Sequence, residues 1–174
     1  AEEIQIWTDV DGIMSADPKI VKNAITLERV SFSEASELAY FGAKVLHPKT
    51  IIPAIRKNIP VKVLNSFNPK KRGTTIVNDA DKSKKIVKSI ASKNGVSLIY
   101  LESIRMLGAI GFLANLFGIF HRHNKSIDVV STSEVSVSLT IDDDENLGEA
   151  VKELKKIAKV DVERNKSIIC VVGE

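Results

Sequence analysis

Apolar and polar positions alternate along several short stretches of the chain, and this period of two predicts β-strands. In the first part of the sequence, apolar residues spaced by three and four also predict helices. The elements expected there, two strands with two helices between them, cover residues 4–8, 33–45, 49–57 and 61–65. Ser31 or Ser33 is the expected N-cap of the first helix. This order of elements indicates an α/β architecture.

The second part has a different order of predicted strands and helices. Strands are predicted over residues 86–90, 96–101, 126–130, 135–141, 160–162 and 167–172, and helices over 108–123 and 147–158. Residues 96–164 therefore read β-α-β-β-α-β, the order of a ferredoxin-like split unit in the α+β class. The first and the last strand fall outside that unit, and we interpret them as pieces of a partial second unit.

The prolines divide the chain. All five lie before residue 70, and a polar stretch over residues 78–85 follows them. We therefore expect two regions, 1–78 and 79–174. Because the chain ends after a strand, without the helix that would continue a second unit, we interpret it as a fragment of a longer protein.

Composition narrows the class of protein. The 174 residues are 44% hydrophobic and 27% charged, as in a folded globular protein. No apolar run reaches the roughly 18 residues of a membrane span, and the acidic start does not resemble a signal peptide. A net charge of +3 with 5% aromatic residues does not indicate nucleic-acid binding. The single cysteine, Cys170, predicts a reducing compartment, and hence the cytoplasm.

Few motifs carry chemistry by themselves. No P-loop and no G-x-G-x-x-G occurs, and the spacing of His121 and His123 does not favour a metal site. Asp9 and Asp11 follow the first strand, where α/β sheets bind ligands, and they could hold a ribose hydroxyl or a magnesium ion. The alternative is an Asp-rich turn that accepts backbone hydrogen bonds.

Other candidates also have two interpretations. Lys44 could neutralise phosphate charge or complement a helix dipole. The helix that opens over residues 108–113 could receive an α-carboxylate, and Asp128 and Glu134 could receive an ammonium group. The alternative for the two glycines of 108–113 is an ordinary use in a loop or in close packing.

Four stretches of the sequence are specific when taken together: IWTDVDGI at 6–13, Asp17-Pro18, SEASELAYFGAKVLHP at 33–48 and Gly73-Thr74. They resemble aspartokinase, the family that phosphorylates the β-carboxylate of aspartate. The resemblance covers essentially the whole chain. It implies that residues 1–78 are the C-terminal part of an amino-acid-kinase catalytic domain and that the rest is an ACT regulatory region.

The resemblance also implies a nucleotide site for ATP with Mg²⁺. The residues that it assigns to ATP are Thr8, Asp9, Met14, Lys19, Lys44 and Val45. Met14 stands where many relatives have tyrosine, and Lys19 where many have arginine. No residue of this chain is assigned to a metal or to catalysis itself.

The regulatory part resembles the lysine-sensitive branch, through the stretches 106–114 and 127–138. In this family the effector lies between two ACT domains at a dimer interface, which implies a homodimer. The residues implied to bind L-lysine are Met106, Ala109, Gly111, Phe112, Leu113, Asp128, Thr132, Ser133 and Glu134. Ala109 replaces a serine found in some relatives, and threonine is the competing effector.

Two family motifs do not occur in the sequence, the Lys-x-Gly-Gly phosphate loop and the Gly-Ser-Asp segment for aspartate. We therefore expect the isolated chain to be inactive. An amino-acid-binding sensor module without catalysis is the alternative function. A kinase for glutamate or for a nucleotide is a third, against which the ACT-like part argues.

Overall fold

A computed structural model describes residues 1–42, 51–80, 86–142 and 145–173. Its helices and strands, in chain order, are β1 (Ile4–Thr8), β2 (Arg29–Ser31), α1 (Phe32–Tyr40), α2 (Ile52–Lys57), β3 (Val61–Asn65), β4 (Thr74–Val77), β5 (Val87–Glu102), a 3₁₀ helix (Ile104–Met106), α3 (Phe112–Arg122), β6 (Val130–Thr132), β7 (Ser136–Ile141), α4 (Leu147–Leu154) and β8 (Lys159–Gly173). No helix in these described ranges is both long enough and apolar enough to cross a bilayer.

The chain forms two compact units. One contains residues 1–93 together with 169–174, and the other contains residues 94–168. Strands β5 and β8 each contribute residues to both units. The boundary expected near residue 78, and the assignment of the two parts to catalysis and regulation, stay predictions.

The first unit contains a four-stranded mixed sheet in the order β1-β3-β4-β2. β1 runs parallel to β3, with Ile4 opposite Val61 and Thr8 opposite Asn65. Parallel neighbours need a long crossover, which the segment with α1 and α2 supplies. The carboxyl ends of β1 and β3 therefore meet at one edge of the sheet, which is where ligands bind in such folds.

Ser31, one of the two predicted N-caps, caps helix α1 directly before its first residue, Phe32. The Ser31 side chain accepts a hydrogen bond from the Glu34 amide at 3.1 Å, and the Glu34 carboxylate accepts one from the Ser31 amide at 2.7 Å. This reciprocal capping box satisfies two amides at the helix start. The helix buries Ala35 and Leu38 in the core of the first unit.

The second unit contains a sheet in the order β6-β7-β5-β8. With β5 as the first strand of the unit, this is the order of a ferredoxin-like split βαββαβ unit, as predicted. Helices α3 and α4 pack their apolar faces on the sheet around Leu116, Phe120, Leu139 and Leu154, all buried. The predicted fold class, an α/β part followed by an α+β ferredoxin-like part, is confirmed.

Two predictions about strands are wrong. The segments 86–90 and 96–101 form one strand, β5, and the segments 160–162 and 167–172 form one strand, β8. Gly95 and Asn165 have positive φ angles of 78° and 55° inside these strands. The turn residues Asn94-Gly95 therefore mark an irregular point within a paired strand, which a single sequence does not distinguish from a hairpin turn.

Several boundaries also differ. The short strands β2 and β4 were not predicted. Helix α3 begins at Phe112 rather than at Gly108, because Gly108 and Gly111 have φ angles of 67° and 83°, which do not fit a right-handed helix. Helix α4 ends at Leu154 rather than at Ala158. The predicted helical residues 43–45 and 49–50 lie outside the described residues.

Candidate functional site

A cavity of about 480 Å³ lies in the first unit, at the carboxyl end of β1. Its lining residues come from the end of β1 and the loop after it, from α1 and Gly42 two residues beyond the helix, and from β5. They are Thr8, Asp9, Val10, Gly12, Met14, Ala16, Asp17, Pro18, Lys19, Leu38, Gly42, Ser89, Ile90, Ala91 and Ser92. The cavity combines apolar side chains with carboxylates, hydroxyls and one ammonium group, the composition expected of a small-molecule site.

Four of the six residues predicted to contact ATP line this one cavity: Thr8, Asp9, Met14 and Lys19. The other two, Lys44 and Val45, lie outside the described residues. Thr8 ends β1, and its hydroxyl donates to the Asp9 carboxylate at 3.1 Å. The structure therefore brings together the strand end and the loop that the sequence singled out.

The two carboxylates of the loop have different surroundings. Asp9 lines the cavity, whereas Asp11 does not. Asp11 accepts hydrogen bonds from the Asn65 side chain at 2.7 Å and from the Lys71 ammonium at 3.0 Å. These two donors, the amide first, hold the pKa of Asp11 below its usual value. Asp11 thus ties the loop to the end of β3 through side chains, and not through the backbone bonds of the Asp-turn alternative.

Gly12 allows the loop to pass close to the buried Thr74. Its φ is 129°, and a Cβ at this position would lie 2.5 Å from the Thr74 hydroxyl oxygen. That hydroxyl accepts from the Ile13 amide at 2.8 Å and donates to the Leu27 carbonyl at 2.7 Å. The loop and the strand approach each other so closely here that position 12 has no room for a side chain beside Thr74.

After Gly12 the chain makes a short antiparallel ribbon. The Ser15 amide donates to the Ile25 carbonyl at 2.8 Å, and the Ile25 amide donates to the Ser15 hydroxyl oxygen at 3.0 Å. At the tip, the Asp17 carboxylate accepts from the Lys19 amide at 2.8 Å. This ribbon places the side chains of Met14 and Lys19 along the cavity.

Sequence reasoning missed the contribution of β5. Residues 89–92 line the cavity, and Ser89 is almost fully buried there. The sequence predicted a strand at 86–90 but placed it in the regulatory part. The available signal was the pair of small hydroxyl residues, Ser89 and Ser92, beside the apolar residues Ile90 and Ala91.

The described residues contain no group of three or more His, Cys, Asp and Glu side chains placed to hold a metal ion. Asp9 and Asp17 are the carboxylates that line the cavity. Magnesium commonly uses one or two carboxylates together with substrate phosphates and water. The donors present therefore fit an ion that arrives with a nucleotide.

The candidate effector residues lie in the second unit, on three segments. Met106 ends the 3₁₀ helix, and it packs with Phe112 and Leu113 against the core of the unit. Ala109 is exposed in the loop before α3. Gly111 is the N-cap of α3, with a φ of 83° that favours glycine.

The remaining effector candidates flank or belong to β6. Asp128 precedes it, and its amide donates to the Thr140 carbonyl of β7 at 2.9 Å. Thr132 pairs with Val137, and the Ser133 amide donates to the Ser136 carbonyl at 2.8 Å in the turn that follows. Asp128 and the pair Ser133–Glu134 thus lie at opposite ends of one short strand, roughly 16 Å apart along an extended backbone.

Comparisons with known proteins show what the chain is similar to. A model of the amino acid kinase family matches residues 1–65, the part that carries β1, the loop and β3. Known proteins and solved structures extend the similarity over the rest of the chain. Aspartokinase 1, chloroplastic, of Arabidopsis thaliana is 46% identical over 99% of this chain and 32% of its own length. The lysine-sensitive aspartokinase 3 of Escherichia coli is 40% identical over 99% of this chain and 40% of its own length.

The fold agrees with solved aspartokinase structures. E. coli aspartokinase III in complex with aspartate and ADP, in its R-state, matches 99% of this chain with a TM-score of 0.88 and 40% identity, over 40% of that chain. The T-state complex with lysine and aspartate matches the same shares, again at 40% identity, with a TM-score of 0.85. The resemblance to aspartokinases is thus confirmed over the whole chain, which spans only about a third of the length of the first plant relatives.

Proposed function

We propose that this chain is the part of an aspartokinase that completes the ATP site and carries the feedback control. The reaction would transfer the γ-phosphoryl group of ATP to the β-carboxylate of aspartate. The observation that carries the proposal is the cavity at the end of β1, which gathers Thr8, Asp9, Met14 and Lys19. The similarity to a solved aspartokinase complex with ADP and aspartate supports it.

Each group has a task in this proposal. The apolar walls, with Met14 and Ile90, would pack against the base, and Asp9 would face the ribose or a magnesium ion held by the phosphates. Lys19, and Lys44 from outside the described residues, would balance phosphate charge. Magnesium would neutralise charge that develops on the phosphates when it is bound. Phosphoryl transfer depends mostly on positioning and charge stabilisation, which this cavity would supply in part.

Because the chain spans 32% to 40% of these relatives, we propose that the aspartate site and the remaining phosphate contacts lie on other segments of a longer protein. The isolated chain would then be inactive. A cytoplasmic location follows only from the single cysteine. The plant relatives are chloroplastic.

For the second unit we propose feedback by L-lysine in a homodimer. The candidate carboxylates, Asp128 and Glu134, lie at opposite ends of β6, so they would serve different effector groups or different chains. The similarity to the E. coli enzyme solved with lysine favours lysine over threonine. An amino-acid sensor without catalysis remains the second candidate, favoured by the completeness of the ferredoxin-like unit within this chain.

The deciding experiment is an aspartyl-phosphate assay, with hydroxylamine trapping, on the longer protein that carries this chain. We expect activity that depends on ATP and aspartate and that millimolar lysine inhibits. The isolated chain is the matched control and should show none. A longer protein that binds lysine without phosphorylating aspartate would support the sensor instead.

A further inference from the structure

Strand β5 forms a wall of the cavity, and two hydrogen bonds attach that wall to the ribbon after Gly12. The Ser89 hydroxyl donates to the Met14 carbonyl at 2.8 Å, and the Ile90 amide donates to the Ser15 carbonyl at 2.9 Å. The lining also includes Leu38 of α1 and Gly42, and a Cβ added at Gly42 would clash with the Ser92 carbonyl oxygen of β5, so the end of α1 and β5 meet at the cavity. The width of the cavity therefore depends on how β5 is held relative to α1.

An ion pair joins these two elements. The Lys88 ammonium lies 2.7 Å from the Glu34 carboxylate, and the two side chains are only 9% and 10% exposed. Lys88 directly precedes Ser89, and Glu34 belongs to the first turn of α1. The pair thus connects the start of the helix to the residue next to the wall.

The carboxylate of Glu34 is fixed on both oxygens. One oxygen accepts from Lys88, and the other accepts from the Ser31 amide. Burial alone would raise the pKa of Glu34, but the hydrogen bonds from Lys88 and Ser31 outweigh it and keep the pKa below its usual value. The Glu34 carboxylate is therefore held by one donor from β5 and one from the helix cap.

A buried ion pair is a poor source of stability, because desolvation offsets most of the attraction between the charges. The Lys62–Glu3 pair of the same unit, at 38% and 29% exposure, avoids that penalty. What the buried pair supplies is a fixed distance between two elements, since neither partner can move without leaving an unpaired charge.

We propose that Glu34 and Lys88 are positioning residues of the nucleotide site: their ion pair holds β5 against α1 at the spacing that admits the nucleotide. The inference rests on the proposed function and deepens it. Neither residue lines the cavity, so each acts through neighbouring residues that do, Ser89 and Ile90 of β5 and Leu38 of α1. It follows that breaking the pair loosens the cavity without touching the ligand.

The test uses the longer enzyme with two variants, Lys88→Met and the double variant Glu34→Gln/Lys88→Met. The double variant removes both charges of the Glu34–Lys88 pair together, and glutamine still fits the capping box. Lys62→Met, which breaks the exposed pair, is the matched control. Melting temperature, kcat, and KM for ATP and for aspartate are measured for each.

We expect the KM for ATP to rise roughly tenfold or more in the double variant, because small displacements of positioning groups have effects of that size. The KM for aspartate should stay at the wild-type value, and Lys62→Met should change neither constant. An unchanged KM for ATP in the folded double variant overturns the inference. Equal increases in both KM values, or failure of both variants to fold, assign the pair a purely structural role and also overturn it.

The proposed function fails differently. It fails if the unmodified enzyme does not bind ATP or phosphorylate aspartate at all. The inference fails if that enzyme is active and its double variant binds ATP as well as it does. The assay of the wild-type enzyme therefore distinguishes a failure of the proposed function from a failure of the inference.

Discussion

Gly12 illustrates at the scale of one residue how a local conformation shapes the cavity. It combines a φ of 129° with a contact that leaves no room for a Cβ beside Thr74. The hydroxyl of Thr74 serves both the Ile13 amide and the Leu27 carbonyl, so it cannot move aside without breaking buried hydrogen bonds. The conformation of the loop that carries Asp9 therefore depends on glycine at position 12.

We predict that Gly12→Ala destabilises the protein by about 2 kcal/mol or more, the sum of backbone strain and a displaced buried hydroxyl. Gly95→Ala is the matched control, because Gly95 also has a positive φ but nothing lies within 4 Å of its added Cβ. It should cost only about 1 kcal/mol. Urea unfolding followed by circular dichroism measures both, and equal losses would contradict the steric argument.

The surroundings of Asp11 predict how the stability of the protein depends on pH. Its pKa is lowered in the folded protein by the Asn65 amide and by Lys71. A carboxyl whose folded pKa is lowered contributes stability above its unfolded pKa of about 3.9, and the contribution disappears as pH falls through the lower folded value. The stability difference between wild type and Asp11→Asn should therefore shrink below about pH 4.

Urea unfolding at intervals from pH 7 to pH 2 checks this prediction for Asp11. Asp161→Asn, at an exposed position on β8, is the matched control for the loss of one carboxylate. A difference between wild type and Asp11→Asn that stays constant across this range would show that Asp11 acts through packing rather than through its charge.

At the scale of elements, the start of α1 decides between two serines that the sequence left open. Ser31 accepts from the Glu34 amide, whereas Ser33 is exposed within the helix. We predict that Ser31→Ala lowers the free energy of unfolding by about 1 kcal/mol, the usual value of an N-cap. Ser33→Ala should stay within about 0.5 kcal/mol of wild type. Thermal unfolding of both variants checks this, and the reverse order would contradict the cap.

The strands show what a single sequence can and cannot predict. β1 and β3 were predicted because each has five residues of clear pattern and a turn on at least one side. β2 and β4 have only three and four residues, too few for a clear alternation of apolar and polar residues. Their hydrogen bonds to each other in the sheet define them as strands. β5 was divided at Asn94-Gly95, because the residues of a turn also suit an irregular point in a strand whose pairing partner is β8.

The candidate site divides in the same way. Thr8, Asp9, Met14 and Lys19 were predicted from one continuous motif, and a continuous motif folds as one loop. Ser89 comes from about seventy residues further along the chain, so only the tertiary fold could place it beside Met14. The partners of Asp11 were missed for the same reason, since Asn65 and Lys71 meet it only through the parallel pairing of β1 and β3.

At the scale of the whole molecule, the two compact units have separate cores and separate candidate ligands. The first contains the cavity that the nucleotide would occupy. The second contains the complete βαββαβ unit with every candidate effector residue. The proposal therefore requires two separate binding sites, so a variant that removes a contact in one site should first change the binding of that site's own ligand.

Asp128 tests that separation. We predict that lysine raises the melting temperature of the protein and threonine does not, because a ligand that binds only the folded state stabilises it. A stabilisation of 1 kcal/mol corresponds to a shift of about 2–4 °C at this size. Asp128→Ala and Asp128→Asn should abolish the response to lysine by removing the charge that faces an ammonium group, while the response to ATP in the longer enzyme stays intact.

Asp161→Ala is the matched control for Asp128→Ala, because it removes an exposed acid from the same unit. It should keep the full shift with lysine. If Asp128→Ala and Asp128→Asn both keep it as well, the ammonium group binds elsewhere, and Glu134 at the other end of β6 becomes the carboxylate to replace. If lysine shifts nothing and threonine does, the effector proposal is wrong, whereas the nucleotide cavity of the first unit is unaffected by that result.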